Sequence, residues 1–348
     1  MPTFERAFKT TDLSRWDAGN PGNAVRALFE KWALPGQDWT KDRPLRLAVR
    51  DGYLNFYFKG QSVAKLSIGQ GGPKLEVHKA YVTGRRRGMA RHEAAPSQPY
   101  HRVDAKRLAD HATIELVESW IETAETYASA EKRFVDDLVA ANPGTLDLEM
   151  GLPANEDASG CRVAPRMDLV VAQVNGKATP SIEFWEAKCA DNGELRASKP
   201  YEECEDGSFV GPKVLNQVSK YVSWMQGPNR IQEVSSAYTE TAKALLDLHR
   251  LFHGDTDRHA ECLSVWRTLA GSDAPVIIVQ PGVVIGNYWP GGHHVADAHA
   301  TRMERNAATF TENGHRKELK RNGVCVYEVG PDHGGPLLPV LALQRLAA

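Results

Sequence analysis

The sequence predicts an α/β protein in which a mixed central sheet is flanked by helices and preceded by a small N-terminal α+β unit. The first hundred residues contain an amphipathic helical stretch and several short β-rich runs, whereas longer helical stretches and strands are mixed from about Asp104 onward. A chain of 348 residues, 42% of them hydrophobic, can form two domains or one large elaborated domain. We therefore expect an N-terminal unit at 1–103 and a larger domain at 104–348.

The N-terminal unit is predicted to contain a helix and a β-meander. Within AVRALFEKWAL, the i, i+3, i+4, i+7 spacing of a buried helix face is met by Val25, Leu28, Phe29 and Trp32. The runs LRLAVR, YLNFYFKG, SVAKLSI and KLEVHKAYV follow, separated by glycine-containing turns such as Asp51-Gly52. Short β-rich runs joined by such turns are typical of antiparallel strands.

The segment TGRRRGMARHEAAPSQPYHR, at 83–102, is predicted to be a basic loop. It contains little acid and includes five arginines, Arg85, Arg86, Arg87, Arg91 and Arg102. One interpretation is a solvated surface loop. The other is an arm that contacts the phosphates of a nucleic acid, because guanidinium groups match phosphate oxygens and charge dominates such binding.

The larger domain is predicted from helices and strands in a mixed order. A long helical region covers 104–142, and the short strands TLDLEM, RMDLVVAQV and SIEFWEAK come after it. Further helices are expected near 211–226, 231–253, 258–269 and 296–320, with strands at 275–282 and 323–330. This order favours a sheet covered by helices but does not specify the order of its strands.

Composition argues against several classes of protein. The formal net charge of −2 gives no overall sign of nucleic-acid binding, so any basic surface must be local. Five widely spaced cysteines without a Cys-x-x-Cys pair argue against a zinc ribbon and a disulfide framework. Reduced thiols are typical of the cytoplasm, and neither an apolar leader nor a run of about eighteen apolar residues occurs. We therefore expect a cytoplasmic protein that does not span a membrane.

The strand SIEFWEAKCA carries charges where a buried strand should be apolar. Because side chains alternate along a strand, Glu186 and Lys188 share a face with Ile182 and Phe184. One explanation is structural: an edge strand whose charged end is solvated, or a cross-face ion pair of little energetic consequence. The other is a carboxylate and an ammonium at the mouth of a core, where buried charges require a metal or an opposite charge.

Other polar residues interrupt apolar patterns nearby. Glu131 lies on a helical stripe, Asp168 opens an apolar strand, and Gln217 lies on a second helical stripe that includes Tyr221. Each has a structural explanation of its own, as a helix-edge carboxylate, a strand-entry aspartate or a boundary glutamine. Together they indicate a polar site.

In this order, Glu131, Asp168, Glu186 and Lys188 resemble the pattern of the PD-(D/E)XK nuclease superfamily of restriction endonuclease-like enzymes. That pattern is a helix acid, an aspartate at the start of a strand, and on the next strand an acid separated from a lysine by one residue. A subset of the family adds a Gln and a Tyr four positions apart on the following helix, which Gln217 and Tyr221 match. The resemblance spans 131–221, about a quarter of the chain, although Met167 rather than a proline precedes the aspartate.

Phosphodiester hydrolysis needs a water made nucleophilic near neutral pH and stabilisation of the developing charge, and hard divalent cations held by carboxylates supply both. The interpretation makes Asp168 and Glu186 the principal Mg²⁺ ligands, with Mn²⁺ as a substitute. The backbone carbonyl of Ala187 would complete the shell, and Glu131 would bind a second ion or a metal-bound water.

Lys188 has three candidate roles: orienting the attacking water, deprotonating it, or stabilising the transition state. A base would require the lysine pKa to fall from its ordinary ~10.4, as burial can cause. The resemblance implies that Gln217 and Tyr221 position Lys188 or the scissile phosphate.

The strand register raises an objection to this site. A two-residue hairpin at Asn175-Gly176 would place Asp168 opposite Glu183 rather than Glu186. Pro180 cannot donate to a ladder, so we expect a longer connection or a bulge that restores the register. Otherwise Glu183 becomes the competing ligand.

The predicted function is that of a Mg²⁺-dependent nuclease acting on DNA, in which the N-terminal unit helps to bind the substrate or sets the oligomeric state. A homodimer would suit double-strand cleavage. The alternatives are a catalytically inactive DNA-binding or scaffolding protein with a nuclease fold, and a structural α/β protein in which the pattern is coincidental. The choice of DNA over RNA comes from the resemblance alone, and the sequence does not separate endonuclease from exonuclease activity.

Overall fold

A computed structural model confirms the predicted α/β class. It describes residues 3–20, 22–38, 40, 42–82, 100–103, 107–108, 110–153, 155–156, 162–163, 166–174, 179–196, 202–204, 209–286, 315–330 and 337–339. Within these ranges, a five-stranded antiparallel sheet comes first in the chain and a six-stranded mixed sheet follows. Helices accompany both sheets, and two short two-stranded ribbons lie outside them.

The first sheet is the predicted meander with one additional strand. Its elements are α1 (Thr10–Gly19), α2 (Ala24–Glu30), β1 (Arg46–Arg50), β2 (Tyr53–Phe58), β3 (Gln61–Gly69), β4 (Gly72–His78), α3 (Lys79–Val82) and β5 (Tyr100–Val103). The strands are arranged in the order β1-β2-β3-β4-β5. The prediction of a loop over 83–102 is wrong at its end, because β5 pairs with β4 from Tyr100 onward. Helix α1 was not predicted.

The second sheet is mixed, as predicted. Its elements and the ribbons are α4 (His111–Glu125), α5 (Ala130–Ala141), β6 (Thr145–Gly151), β7 (Asn155–Glu156), β8 (Arg162–Val163), β9 (Arg166–Gln173), β10 (Ser181–Cys189), η1 (Gly193–Leu195, a 3₁₀ turn), β11 (Glu202–Glu203), β12 (Phe209–Val210), α6 (Lys213–Met225), α7 (Arg230–Phe252), α8 (Glu261–Ala270), β13 (Val276–Ile277), β14 (Gly282–Gly286), α9 (His315–Arg321) and β15 (Cys325–Val329). The order is β15-β14-β10-β9-β6, and β13 also pairs with β10. The β6, β9 and β10 pairs are antiparallel, whereas β14 is parallel to both β10 and β15.

Two element boundaries differ from the sequence prediction. The helical region at 104–142 contains two helices, because Ser129 caps a new helix by accepting a hydrogen bond from the Lys132 N–H. The strand predicted at 275–282 is divided, because Val276–Ile277 forms β13 and the longer strand β14 begins at Gly282. A side chain at Gly282 would collide with the Trp185 ring, whose Cζ3 lies 2.4 Å from the ideal Cβ position. Of the helix predicted at 296–320, only the end lies within the described residues.

The two sheets share a hydrophobic core. Phe29 of α2 stacks on Phe252 of α7 with ring centroids 3.7 Å apart, and Trp32 lies 6.4 Å from Trp266. Phe4 packs against aromatic rings of the larger unit. The predicted boundary between the N-terminal unit and the larger domain, at 103/104, falls between the two sheets. Separate roles for the two units stay a prediction.

A buried ion-pair network also joins the two sheets. Asp147 of β6 accepts hydrogen bonds from the guanidinium groups of Arg6 and Arg50 and from the hydroxyl of Tyr238. The carboxylate of Asp147 is fully buried, and both arginines are also buried. The network therefore connects the N-terminal segment, β1, β6 and α7.

The described helices include none with both the length and the apolar composition required to cross a bilayer.

Candidate active site

The register between β9 and β10 brings two acidic residues together. The strands pair from Trp185↔Leu169 to Ser181↔Gln173, and one more step in this register places Asp168 opposite Glu186. The Ala187 N–H donates a hydrogen bond of 2.9 Å to Asp168 Oδ2. Two carboxylates therefore lie side by side on one face of the sheet.

The register also resolves the objection raised by Asn175-Gly176. The connection between β9 and β10 is longer than a two-residue hairpin, as expected, and it leaves Glu183 opposite Val171. Glu183 therefore belongs to the other face of β10, where Ser181 Oγ donates to it at 3.4 Å. This excludes Glu183 as the competing ligand.

Strand β10 is an interior strand, so the edge-strand explanation of its charges is wrong. It pairs with β9 on one side and β14 on the other, and all of its residues are buried. Glu186 is 2% exposed and Lys188 is 3% exposed. Charges buried to this degree are unfavourable unless they are paired or bind a ligand.

Lys188 lies among three carboxylates. Its Nζ is 2.8 Å from Glu186 Oε1, 3.2 Å from Glu194 Oε2 and 3.7 Å from Glu131 Oε1. Glu131 reaches this position from the first turn of α5, and Glu194 reaches it from η1. The predicted residues Glu131, Asp168, Glu186 and Lys188 are thus brought together, and Glu194 joins them.

The turn after β10 was missed by the sequence analysis. Asn192 Nδ2 donates to Glu131 Oε2 at 2.5 Å, while Asn192 Oδ1 accepts from the Glu194 N–H at 2.8 Å. Asn192 therefore orients the Glu131 carboxylate and caps the turn that carries Glu194. The dipeptide Asn192-Gly193 is a turn signal, and it could have indicated that the chain folds back beside Lys188.

Glu149 is a further acidic residue that the sequence analysis missed. It is flanked by the register pairs Leu148↔Leu169 and Met150↔Met167, which places it beside Asp168. Its carboxylate lies 3.2 Å from Arg166 and 4.0 Å from Lys132. Glu149 therefore links the acidic site to basic residues nearby.

Burial and mutual charge perturb the two central carboxyls. Burial raises the pKa of Asp168 well above its ordinary value, and the charges of Glu186 and Glu149 add to the rise. Burial also raises the pKa of Glu186 to about 7, against the opposing effect of Lys188. Both carboxyls therefore hold protons more tightly than exposed carboxyls do.

Lys188 responds in the opposite sense to the one expected from burial alone. Burial acts to lower its pKa, but the carboxylates of Glu186, Asp168 and Glu131 raise the pKa above its ordinary value. The lowered lysine pKa that a base would require is therefore not found in this structure. Lys188 is a charged donor here, which favours an electrostatic or orienting role over that of a base.

Helix α6 places the predicted glutamine and tyrosine on the same side of the sheet as Glu186. The Tyr221 ring lies 5.1 Å from Phe184, two residues before Glu186, and Gln217 is one helical turn earlier on α6. Among the described residues, Tyr221 Oη and Gln217 Oε1 have no hydrogen-bond partner, and neither has Glu186 Oε2. Buried polar atoms of this kind favour a polar ligand.

The donor set fits a hard divalent cation that takes few protein ligands. No three His, Cys, Asp or Glu side chains form a ready-made metal cluster in the described part of the chain. Mg²⁺, however, usually binds through one or two carboxylates and completes its shell with waters and substrate phosphates. Asp168 and Glu186 could supply those carboxylates, and the role of the Ala187 carbonyl stays a prediction.

Of the five arginines in the predicted phosphate-contacting arm, Arg102 is exposed on β5 opposite Glu76, and the other four lie outside the described residues. Arg85, Arg86, Arg87 and Arg91 all belong to the segment 83–99, which the structure does not describe. Their contact with DNA stays a prediction.

Comparison with protein-family models, with curated proteins and with solved structures gives no significant match. A functional assignment therefore depends on the residues and the geometry of the site.

Proposed function

We propose that the chain is a metal-dependent nuclease of the PD-(D/E)XK kind, with a restriction endonuclease-like fold, that hydrolyses phosphodiester bonds in DNA. The observation that carries the proposal is the interior strand β10, where Glu186 lies opposite Asp168 and 2.8 Å from Lys188. A mixed sheet flanked by helices supports the proposed fold. We expect the enzyme to act in the cytoplasm. A homodimer would suit double-strand cleavage.

In the proposed mechanism, Asp168 and Glu186 would hold Mg²⁺ through their carboxylates. The bound ion would polarise the phosphate and lower the pKa of a coordinated water. Lys188 donates from its ammonium toward the phosphate oxygens or the attacking water, and it remains charged because three carboxylates surround it. Glu131 orients Lys188 and is itself oriented by Asn192.

Gln217 and Tyr221 are proposed to act on the substrate side of the site. The Tyr221 hydroxyl can donate one hydrogen bond, and the Gln217 amide can donate as well as accept. Neither Tyr221 Oη nor Gln217 Oε1 has a hydrogen-bond partner among the described residues. The proposal assigns both groups the positioning of Lys188 or the scissile phosphate.

The direct test is DNA cleavage in the presence and absence of metal. Supercoiled plasmid, linear duplex and single-stranded DNA are incubated with the protein in Mg²⁺, Mn²⁺ or EDTA. We expect cleavage only with metal. The cleavage rate of Lys188→Ala should be lower by about 100-fold or more, because a preorganised cation is lost. Nicked plasmid would indicate an endonuclease, and progressively shortened linear DNA an exonuclease.

Lys243→Ala serves as the control, since this exposed lysine pairs with Glu240 on the surface of α7. Full activity of Lys188→Ala, or cleavage that persists in EDTA, would contradict the proposed site. A wild-type protein that binds DNA without cutting it would support the inactive binding or scaffolding alternative. A wild-type protein that neither binds nor cuts DNA would indicate that the pattern is coincidental.

Metal affinity is expected to depend strongly on pH. Mg²⁺ and Mn²⁺ bind the ionised carboxylates, whereas the Glu186 pKa of about 7 keeps that carboxyl partly protonated near neutrality. Below pH 7, each unit of acidification should therefore weaken Mn²⁺ binding by about tenfold for this one proton. Calorimetric titration with Mn²⁺ between pH 5.5 and 8.5 measures this dependence. Glu186→Gln should bind Mn²⁺ more weakly and lose the inflection near pH 7, and an inflection retained in that variant would exclude Glu186 as its source.

A further inference from the structure

A polar cavity of about 390 Å³ lies between the first sheet and the edge of the second. Its walls come from β2, β3 and β5 on one side and from β6, β9 and α5 on the other. Cavities of this size are large enough to hold a small organic ligand. The cavity is referred to below as the tyrosine pocket, after Tyr53, Tyr57 and Tyr100, which line it.

The charge of the tyrosine pocket favours an anion. Five basic side chains and two acidic side chains line it. Arg6 and Arg50 pair with Asp147, and Arg166 and Lys132 lie near Glu149. Lys65 has no ion-pair partner among the described residues, so its charge is available to a ligand.

The remaining lining groups favour a planar ring beside that anion. Lys65 Nζ lies 3.8 Å from the centroid of the Tyr100 ring and 5.6 Å from that of Tyr53. Asn55 is 4% exposed, and its Oδ1 accepts a hydrogen bond from Ser62 at 2.8 Å, which leaves its amide N–H groups for a ligand. Aromatic faces stack on nucleobases, and an amide can read a base edge by hydrogen bonds.

The tyrosine pocket adjoins the candidate active site. Glu149 lines the pocket and lies beside Asp168 in the register between β6 and β9. Arg166, another lining residue, precedes Asp168 by two positions and therefore points to the same side of β9. A ligand in the pocket would thus lie close to a phosphate held at the carboxylates.

From this geometry we propose that the tyrosine pocket binds one unpaired nucleotide of the substrate strand, with its phosphate near Lys65 and its base against the tyrosines. The inference rests on the proposed function, since it names the form of the substrate. A base stacked inside a duplex cannot enter such a pocket. The favoured substrate is therefore single-stranded DNA, or a duplex from which a nucleotide is extruded.

The test measures binding in EDTA, where metal-dependent cleavage cannot occur. Fluorescence anisotropy follows a labelled single-stranded dT ten-mer, an abasic ten-mer and a duplex with wild type, Tyr100→Leu and Lys65→Met. We expect Tyr100→Leu to weaken dT binding by about tenfold without weakening abasic binding, because base stacking is lost. Lys65→Met should weaken both single strands and reduce the salt slope by about 0.7, the change expected for one phosphate contact.

Lys74→Met is the matched control, because this exposed lysine is on β4 of the same sheet and does not line the pocket. Circular dichroism and thermal unfolding verify that each variant is folded. Unchanged dT binding by Tyr100→Leu or by Lys65→Met would overturn the proposal. Tighter binding of free dAMP than of the dT strand would also overturn it, in favour of a free-nucleotide site.

The pocket and the nuclease activity can fail separately. A wild-type protein that shows the expected binding differences but never cleaves DNA would support the pocket and contradict the proposed function. The opposite result is that Tyr100→Leu and Lys65→Met bind single strands as wild type does and cleave them normally with metal. That result would support the proposed function and contradict the pocket.

Discussion

Replacing Asp168 with asparagine is expected to abolish metal-dependent cleavage while leaving the protein folded. The variant loses one of the two central carboxylates, and with it the metal-derived stabilisation of several kcal/mol, which corresponds to a rate loss of about 10³-fold or more. Asparagine is nearly the same size, and its Oδ1 can still accept the hydrogen bond from the Ala187 N–H. The loss should therefore be chemical rather than structural.

The stability of Asp168→Asn should be equal to or greater than that of wild type at pH 8. The folded-state pKa of Asp168 is raised, so the folded protein binds its proton more tightly than the unfolded chain does. Wild-type stability consequently falls as the pH rises above the unfolded pKa of about 4 and through the raised folded pKa. Asparagine does not titrate, so the stability advantage of the variant should shrink as the pH is lowered toward 4.

Cleavage rates and thermal unfolding of Asp168→Asn are measured together, at pH 8 and at lower pH. Asp273→Asn is the control, because it removes the same charge at an exposed position between α8 and β13. A rate within about tenfold of wild type would be too small a change for the loss of a principal metal ligand. A large drop in unfolding temperature would leave a structural role for Asp168 as the simpler explanation.

Replacing Asp147 with asparagine is expected to destabilise the protein by about 3–5 kcal/mol, the range for breaking a buried ion pair from one side. Two buried guanidinium groups, those of Arg6 and Arg50, would lose their charge partner. The Tyr238 hydroxyl could still donate to the asparagine oxygen, so most of the loss is electrostatic. Because the network joins the two sheets, the effect should extend to both.

Urea unfolding measures this change in the free energy of unfolding, with circular dichroism as the signal. Asp247→Asn is the control, since Asp247 is half exposed and pairs with Arg250 on the surface of α7, where a change below about 1 kcal/mol is expected. If both variants lost equally little stability, Asp147 would not hold the sheets together. An unfolding curve with two separate steps would show that the sheets unfold independently once the network is broken.

The sequence was most informative where local pattern and burial agree. Periodicity predicted the helices α6, α7 and α8 to within a few residues, because an amphipathic helix is determined by neighbours three and four positions apart. The strand β5 was missed because its partner β4 lies across a long intervening segment. Pairing between distant segments leaves little trace in local composition.

The candidate site also contains residues that the sequence could identify and residues that it could not. Glu131, Asp168, Glu186 and Lys188 could be selected from the sequence because each interrupts an apolar pattern. Glu194 and Glu149 could not, because they lie in a turn and at the end of a strand, where acidic residues are ordinary. Glu194 matters because it lies beside Lys188, and Glu149 matters because it lies beside Asp168.

The sequence by itself therefore determined the α/β class, the meander and the identity of four residues that are costly to bury. Only the tertiary structure decided that Asp168 shares a face of the sheet with Glu186 and that β10 lies in the sheet interior. It also decided the raised pKa of Lys188 and the cavity beside the site. The physical reason is that propensity and periodicity act over a few neighbouring residues. Register, burial and electrostatic interaction instead depend on distances between residues that the chain brings together only when it folds.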